Sequence, residues 1–159
     1  MVPCIYVYLA FSVFCHFKYA FELMSILFIP CCGYADWMDL YGFADGACRH
    51  TLNLASVAWV LYSPAQDLVS SGVVCIGSPT NNIVEYQEVI GLLIEAASQG
   101  IHGLVVFMNS QLVVCHLNHI YTIRNPTLLC LFRRVCLLEI SFDFITYRHI
   151  PRSDNMIID

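Results

Sequence analysis

The stretch from Gly103 to Leu117, GLVVFMNSQLVVCHL, constrains this chain most. Its run of Leu, Val and Phe is unbroken, which suits a strand covered on both faces, and it stops abruptly at Asn109 and Ser110. A short helix is expected to follow at once, over Ser110 to Asn118. A strand that ends in a polar residue and turns straight into a helix puts that residue at the carboxyl end of the strand, where α/β folds gather their chemistry. Asn109 is therefore the first candidate site residue, although an Asn in this place also serves as a helix N-cap.

The rest of the chain frames that strand. Met38 to Ala44 reads as a strand ending at Asp45, with Gly46 and Ala47 allowing a tight exit. Ser56 to Tyr62 and Leu68 to Ile76 are two more β-rich runs, and three strands with short connections predict an antiparallel meander. After a polar turn over Gly77 to Asn82, Tyr86, Ile90, Leu93 and Ala97 recur at helical spacing, with Glu85, Glu88 and Glu95 off that stripe. The pattern predicts an amphipathic helix over Ile83 to Gln99, ended by Gly100. Pro126 to Ile140 reads as a longer helix with Pro in its first turn, and Phe142 to Ile150 as a fifth strand. Pro151 to Asn155 is a turn, after which another helix begins where the sequence stops. This is the element order of an α/β domain with mixed strand directions.

Charge and cysteine usage bound the function classes. The 12 acidic residues outnumber the 7 basic ones for a net charge of -5, which excludes a protein that coats nucleic acid with its whole surface. Arg124, Arg133, Arg134, Arg148 and Arg152 nevertheless crowd the last third and leave room for a local basic face. Nine cysteines, with Cys31 and Cys32 adjacent and no C-x-x-C spacing, fit neither a disulfide framework nor a zinc ribbon. Cys75, Cys115, Cys130 and Cys136 lie inside apolar runs and are expected to be small core residues. That usage implies a reducing, intracellular compartment, cytoplasmic or nuclear. His116 and His119 flank a zinc reading with Cys115 and His102, but a fourth ligand and a paired motif are missing, so no zinc is expected.

From Met1 to Cys32 the sequence is almost continuously apolar, interrupted by His16, Lys18 and Glu22. Its longest uncharged run falls short of the roughly 18 residues a spanning helix needs. Residues 1–35 therefore stand as an apolar N-terminal segment whose place in the fold the sequence leaves open, with a membrane anchor through residues 1–32 as the alternative. The change of texture over Pro30 to Asp36 places the domain at 36–159.

Four motifs then occur in a fixed order: Asp45-Gly46-Ala47; Thr80-Asn81-Asn82-Ile83-Val84-Glu85-Tyr86; Asn109-Ser110-Gln111-Leu112-Val113; and His149-Ile150-Pro151-Arg152 followed by Asn155 and Asp159. In order and separation they resemble the type 1 ribonuclease H family, most closely the reverse-transcriptase-like domains of plant retroelement polyproteins. The resemblance covers roughly Trp37 to Asp159. It implies a ribonuclease H-like fold, a five-stranded mixed sheet flanked by helices on both sides. Such a sheet gathers four carboxylates around two magnesium ions, which cleave the RNA strand of an RNA/DNA hybrid. Phosphodiester hydrolysis develops charge on an attacking water and a leaving oxygen, and two metals about 3.5–4 Å apart stabilise both ends. Magnesium prefers hard, anionic oxygen ligands, which explains the demand for several carboxylates.

Carried over residue by residue, the resemblance makes Asp45, Glu85 and Asp159 metal ligands and gives His149 a part in proton transfer or product release. It implies contacts from Asn81, Asn82 and Gln111 to the minor groove and sugars of a hybrid. Arg133 and Arg134 would meet phosphates, although the same two arginines suit a plain solvated helix face. The unit is expected to act as a monomer. Local readings compete with the site: Glu85 could complete a capping box with Asn82, and Asp45 before Gly46 could be a turn residue.

This chain departs from the family pattern at three places. Asn109 stands where the family has Asp, so an amide with one neutral acceptor replaces a full negative charge, and magnesium affinity and turnover are expected to fall severely. The glycine-rich hairpin expected between the first two strands reads Arg49-His50-Thr51-Leu52-Asn53-Leu54-Ala55. The sequence given stops at Asp159, so the domain is expected to be C-terminally truncated, with that ligand poorly preorganised.

Overall fold

The computed structural model describes residues 40–49, 54–77 and 79–151, with side chains described for all but 45–49 and 54. Five strands form one sheet: β1 (Leu40–Arg49), β2 (Leu54–Tyr62), β3 (Leu68–Cys75), β4 (Gly103–Met108) and β5 (Phe144–His149). Their order is β3-β2-β1-β4-β5. The first three strands make the expected antiparallel meander, and β4 and β5 add to it in parallel. Three helices are described: α1 (Asn81–Ser98), α2 (Gln111–Leu117) and α3 (Pro126–Glu139). The sheet is mixed, as expected.

Alternation along the strands sorts the side chains onto two faces. Ala44, Val57, Trp59, Leu61, Leu104, Val106 and Met108 share a core cluster with buried residues of all three helices. Phe43, Ala58, Val60, Val105 and Phe107 form a second cluster on the opposite face. Helices on both faces were implied; among the described residues all three pack into the first cluster. On that face Trp59 lies between two glycines, Gly72 of β3 and Gly91 of α1. A Cβ at Gly91 would come within 2.6 Å of the indole ring, so only a residue without a side chain lets α1 approach this closely.

Several local expectations are corrected. β1 does not end at Asp45 but continues through Gly46 and Ala47 to Arg49. The reason is its second neighbour: β4 stops pairing at Ala44↔Met108, whereas β2 stays opposite from Asp45↔Ala58 to Arg49↔Leu54 and keeps supplying backbone partners. Glu88, expected off the buried stripe of α1, is 1% exposed, because that helix is covered by the sheet on one side and α3 on another. None of the four cysteines is fully buried: Cys75 and Cys130 are exposed, and Cys115 and Cys136 are half-buried. Cys75 ends the outermost strand, and Cys130 lies on the outer side of α3, so an apolar sequence context does not make either a core residue.

The expected start of β1 at Met38, the boundary at residue 36, the segment 1–35 and the final helix lie outside the described residues. Among the described residues no helix is long and apolar enough to cross a membrane.

Candidate active site

The carboxyl ends of β4 and β5 meet the middle of β1, parallel to both, in one row. Ala44 of β1 pairs with Met108 of β4, and Met108 pairs with His149 of β5. Asp45 and Asn109 are the next residues along their strands, so backbone pairing alone brings Asp45, Asn109 and His149 to the same edge of the sheet. Beyond that row β1 departs with β2, while β4 turns into α2. The sheet therefore splits between Asp45 and Asn109, the kind of strand-end opening where α/β proteins place ligands.

Glu85 reaches this edge from α1. It stands at the fifth residue of the helix, which begins at Asn81 with Thr80 as N-cap, so Asn82 is already helical and the capping box is not formed. The Ser110 hydroxyl donates to the Glu85 carboxylate at 2.6 Å instead. Ser110 also caps α2, its oxygen accepting from the Val113 N–H at 3.3 Å. This disposes of Asn109 as the N-cap: Ser110 does that work, and Asn109 is the half-buried residue between strand and cap. Ser110 was not foreseen as a site residue. Its position three residues before Val113 gives away the cap, but the bond to Glu85 joins residues 25 apart and has no local signal. Replacing Ser110 by Ala is expected to lower stability by about 1 kcal/mol through loss of the cap, while Thr keeps most of it. Urea unfolding measures both, and equal midpoints for Ser110→Ala and the parent would refute the role.

Beneath the rim, the Tyr86 hydroxyl and His116 Nδ1 share a 2.9 Å hydrogen bond that ties α1 to α2, with the rings stacked. Burial pushes the Tyr86 phenol up, with the Cys136 thiol adding to it, and holds His116 below its ordinary value of 6.5. His116 thus takes up a proton less readily in the fold than when unfolded. Its contribution is present above about pH 6.5 and is lost as pH falls below that value, so stability should decline on acidification. His116→Gln is expected to flatten that decline in pH-dependent urea titrations; an unchanged slope would assign the decline elsewhere. His119 stacks edge-on against Phe132, and His102 lies 3.7 Å from Asp143 on the exposed surface, so these histidines do not converge with His116.

The other expected contacts divide. Asn81 is exposed and Asn82 half-buried at the start of α1, and Gln111 is exposed at the start of α2, so all three border the Glu85–Ser110 contact. Arg133 and Arg134 are exposed in the middle of α3, on its solvated face. The His149 side chain is exposed at the end of β5. Asp159 lies outside the described residues, and of Asp45 only the backbone is described.

The strand order and the split edge define a ribonuclease H-like domain, and solved structures share it. The ribonuclease H1 of the archaeon Halobacterium salinarum superposes with a TM-score of 0.69 at 34% identity, covering 74% of this chain and 89% of that one. A ribonuclease H1 crystallised in complex with an RNA/DNA hybrid gives 0.67 at 25% identity, covering 74% and 89%. Among curated proteins, ribonuclease HI of Halobacterium salinarum is 34% identical over 116 residues, 73% of this chain and 58% of that protein. The bifunctional protein of Mycobacterium tuberculosis is 31% identical over 117 residues, 73% of this chain and 32% of that protein. The chain thus spans less than two thirds of the length of these curated relatives. Residues 43–159 match the family model described as reverse transcriptase-like, and the chain belongs to that family, within the ribonuclease H group.

Proposed function

We propose that this domain engages RNA/DNA hybrids at the split edge, and that its ancestral reaction is metal-dependent hydrolysis of the RNA strand, impaired here by Asn109. The observation that carries the reading is the convergence of Asp45, Asn109 and His149 on one strand-end row, with Glu85 bonded to Ser110 beside it. The hybrid-bound ribonuclease H1 of the same fold supports the choice of ligand. The donors suit a hard divalent cation: Glu85 offers an anionic oxygen held at the rim, Asp45 and Asp159 are its partners by family pattern, and Asn109 offers a neutral amide oxygen. When bound, magnesium would stabilise charge on the attacking and leaving oxygens. The chain's own contribution is to fix Glu85 through Ser110, to present His149 for proton movement, and to border the groove with Asn81, Asn82 and Gln111. Arg133 and Arg134 would add phosphate contacts. We place the domain at 36–159, acting as a monomer without zinc, inside the cell.

A second reading keeps the fold and the nucleic acid but not the reaction: a binding remnant of a retroelement polyprotein. Cleavage of a labelled hybrid by the parent and by Asn109→Asp, alongside hybrid binding measured without magnesium, tests the first against the second. Binding without cleavage by either form selects the second, and neither binding nor cleavage rejects both.

A further inference from the structure

Two hydrogen bonds join neighbouring residues of α1 to the two ends of α2. At the rim the Ser110 hydroxyl donates to the Glu85 carboxylate at 2.6 Å, and in the core the Tyr86 hydroxyl and His116 Nδ1 share a bond of 2.9 Å. Ser110 is the N-cap of α2 and His116 its last residue but one, so the attachment points lie about 9 Å apart along that helix. The inner bond is sealed from solvent, with Tyr86 0% and His116 5% exposed. Breaking it strands polar groups in the core, whereas the half-buried Glu85 has water within reach. The inner bond is therefore the firmer of the two.

Adjacent helical residues leave the axis about 100° apart. Glu85 and Tyr86 thus reach α2 in two directions, and a helix bonded in this way resists rolling about its own axis. Roll is the motion that matters at the edge, because about 10° of it carries a group about 6 Å from the axis through about 1 Å. Magnesium demands near-ideal geometry from its oxygen ligands, and a functional site works within about 0.5 Å of its productive arrangement. α1 packs broadly on β1, β2 and α3 but only slightly on α2. Apolar burial is non-directional, so the two directional bonds are what sets α1 against the helix that follows Asn109.

We infer that His116 is a positioning residue for Glu85: acting through Tyr86, it holds the angle at which α1 offers the Glu85 carboxylate to the strand-end row, a role that rests on the metal-site reading of that edge. The test uses the full chain carrying Asn109→Asp, with Mn2+ as the probe and the free ion counted by electron paramagnetic resonance, in buffer where circular dichroism shows each variant folded. Tyr86→Phe keeps the ring and removes only the hydroxyl, and it is expected to weaken Mn2+ binding about tenfold. His116→Phe should do the same, while His116→Asn, whose amide oxygen takes the place of Nδ1, should recover most of the affinity. Unchanged Mn2+ binding in Tyr86→Phe beside a lower urea midpoint would make the bond merely structural and overturn the inference, as would equal losses in His116→Phe and His116→Asn. A metal-free comparison stands apart from the metal reading. Tyr86 and Ser110 serve one attachment between α1 and α2, so the urea-midpoint losses of Tyr86→Phe and Ser110→Ala are expected not to add in the double variant; additive losses would overturn the inference. If the Asn109→Asp chain takes up no Mn2+, the metal reading of the edge fails by itself, and the urea comparison alone upholds or overturns the attachment.

Discussion

Replacing Asn109 by Asp is expected to raise magnesium-dependent cleavage of the RNA strand of a hybrid by about 100-fold or more, equivalent to about 2.7 kcal/mol of transition-state stabilisation. The size follows from charge. An amide offers a hard cation one neutral oxygen, whereas a carboxylate in the same volume adds a full negative charge next to the strand-end row. The scaffold should not notice the change, because Ser110 caps α2 and the pairing of Met108 with Ala44 and His149 is made by the backbone. Initial rates on an end-labelled hybrid, with and without magnesium, measure the effect. Equal rates for the two forms, or cleavage that persists in a chelator, would count against the metal site. Asn109→Gln provides the control: it keeps the amide and should gain nothing.

The largest loss of stability is expected from Trp59→Ala, about 3–5 kcal/mol. That is a large fraction of the roughly 5–15 kcal/mol that holds an ordinary domain folded. Trp59 fills the space between β3 and α1, and its flanking residues there are Gly72 and Gly91. Truncation leaves a cavity whose nearest walls on both sides have no side chains to move into it, so relaxation recovers little. Urea unfolding followed by circular dichroism gives the cost directly. A loss below about 1 kcal/mol would mean that α1 settles onto the sheet without the ring, with Trp59→Phe expected to fall between the two.

Element positions were legible in the sequence wherever apolar periodicity and a punctuating residue coincided. β4 and α3 came out to within a residue because Met108 is followed by Asn109 and Ser110, and because Asn125 caps a helix whose first residue is Pro126. The motifs around Glu85 and Asn109 were legible as well, since their identity is local. What failed depended on neighbours. The end of β1 was misplaced because Asp45-Gly46 reads as a turn until β2 is seen running opposite. The burial of Glu88 follows from α1 being covered from two sides, which a single stripe does not encode. The Tyr86–His116 and Ser110–Glu85 bonds join residues 30 and 25 apart, and no spacing announces them.

The split of the sheet has a mechanical consequence. Up to Ala44, β1 is held by a strand on each side; from Asp45 onward it is held by β2 alone. The outer part of β1 is therefore held from one side, by β2, which β3 backs in turn from Ala58↔Val73 to Ser56↔Cys75. Asp45 is the first residue past the point where β4 lets go, and its partner Ala58 lies in that backed part of β2. Changes of length or composition beyond Arg49 and Leu54 should leave the backbone at Asp45 almost where it is, because the backed pairs Gly46↔Val57 and Ala47↔Ser56 lie between.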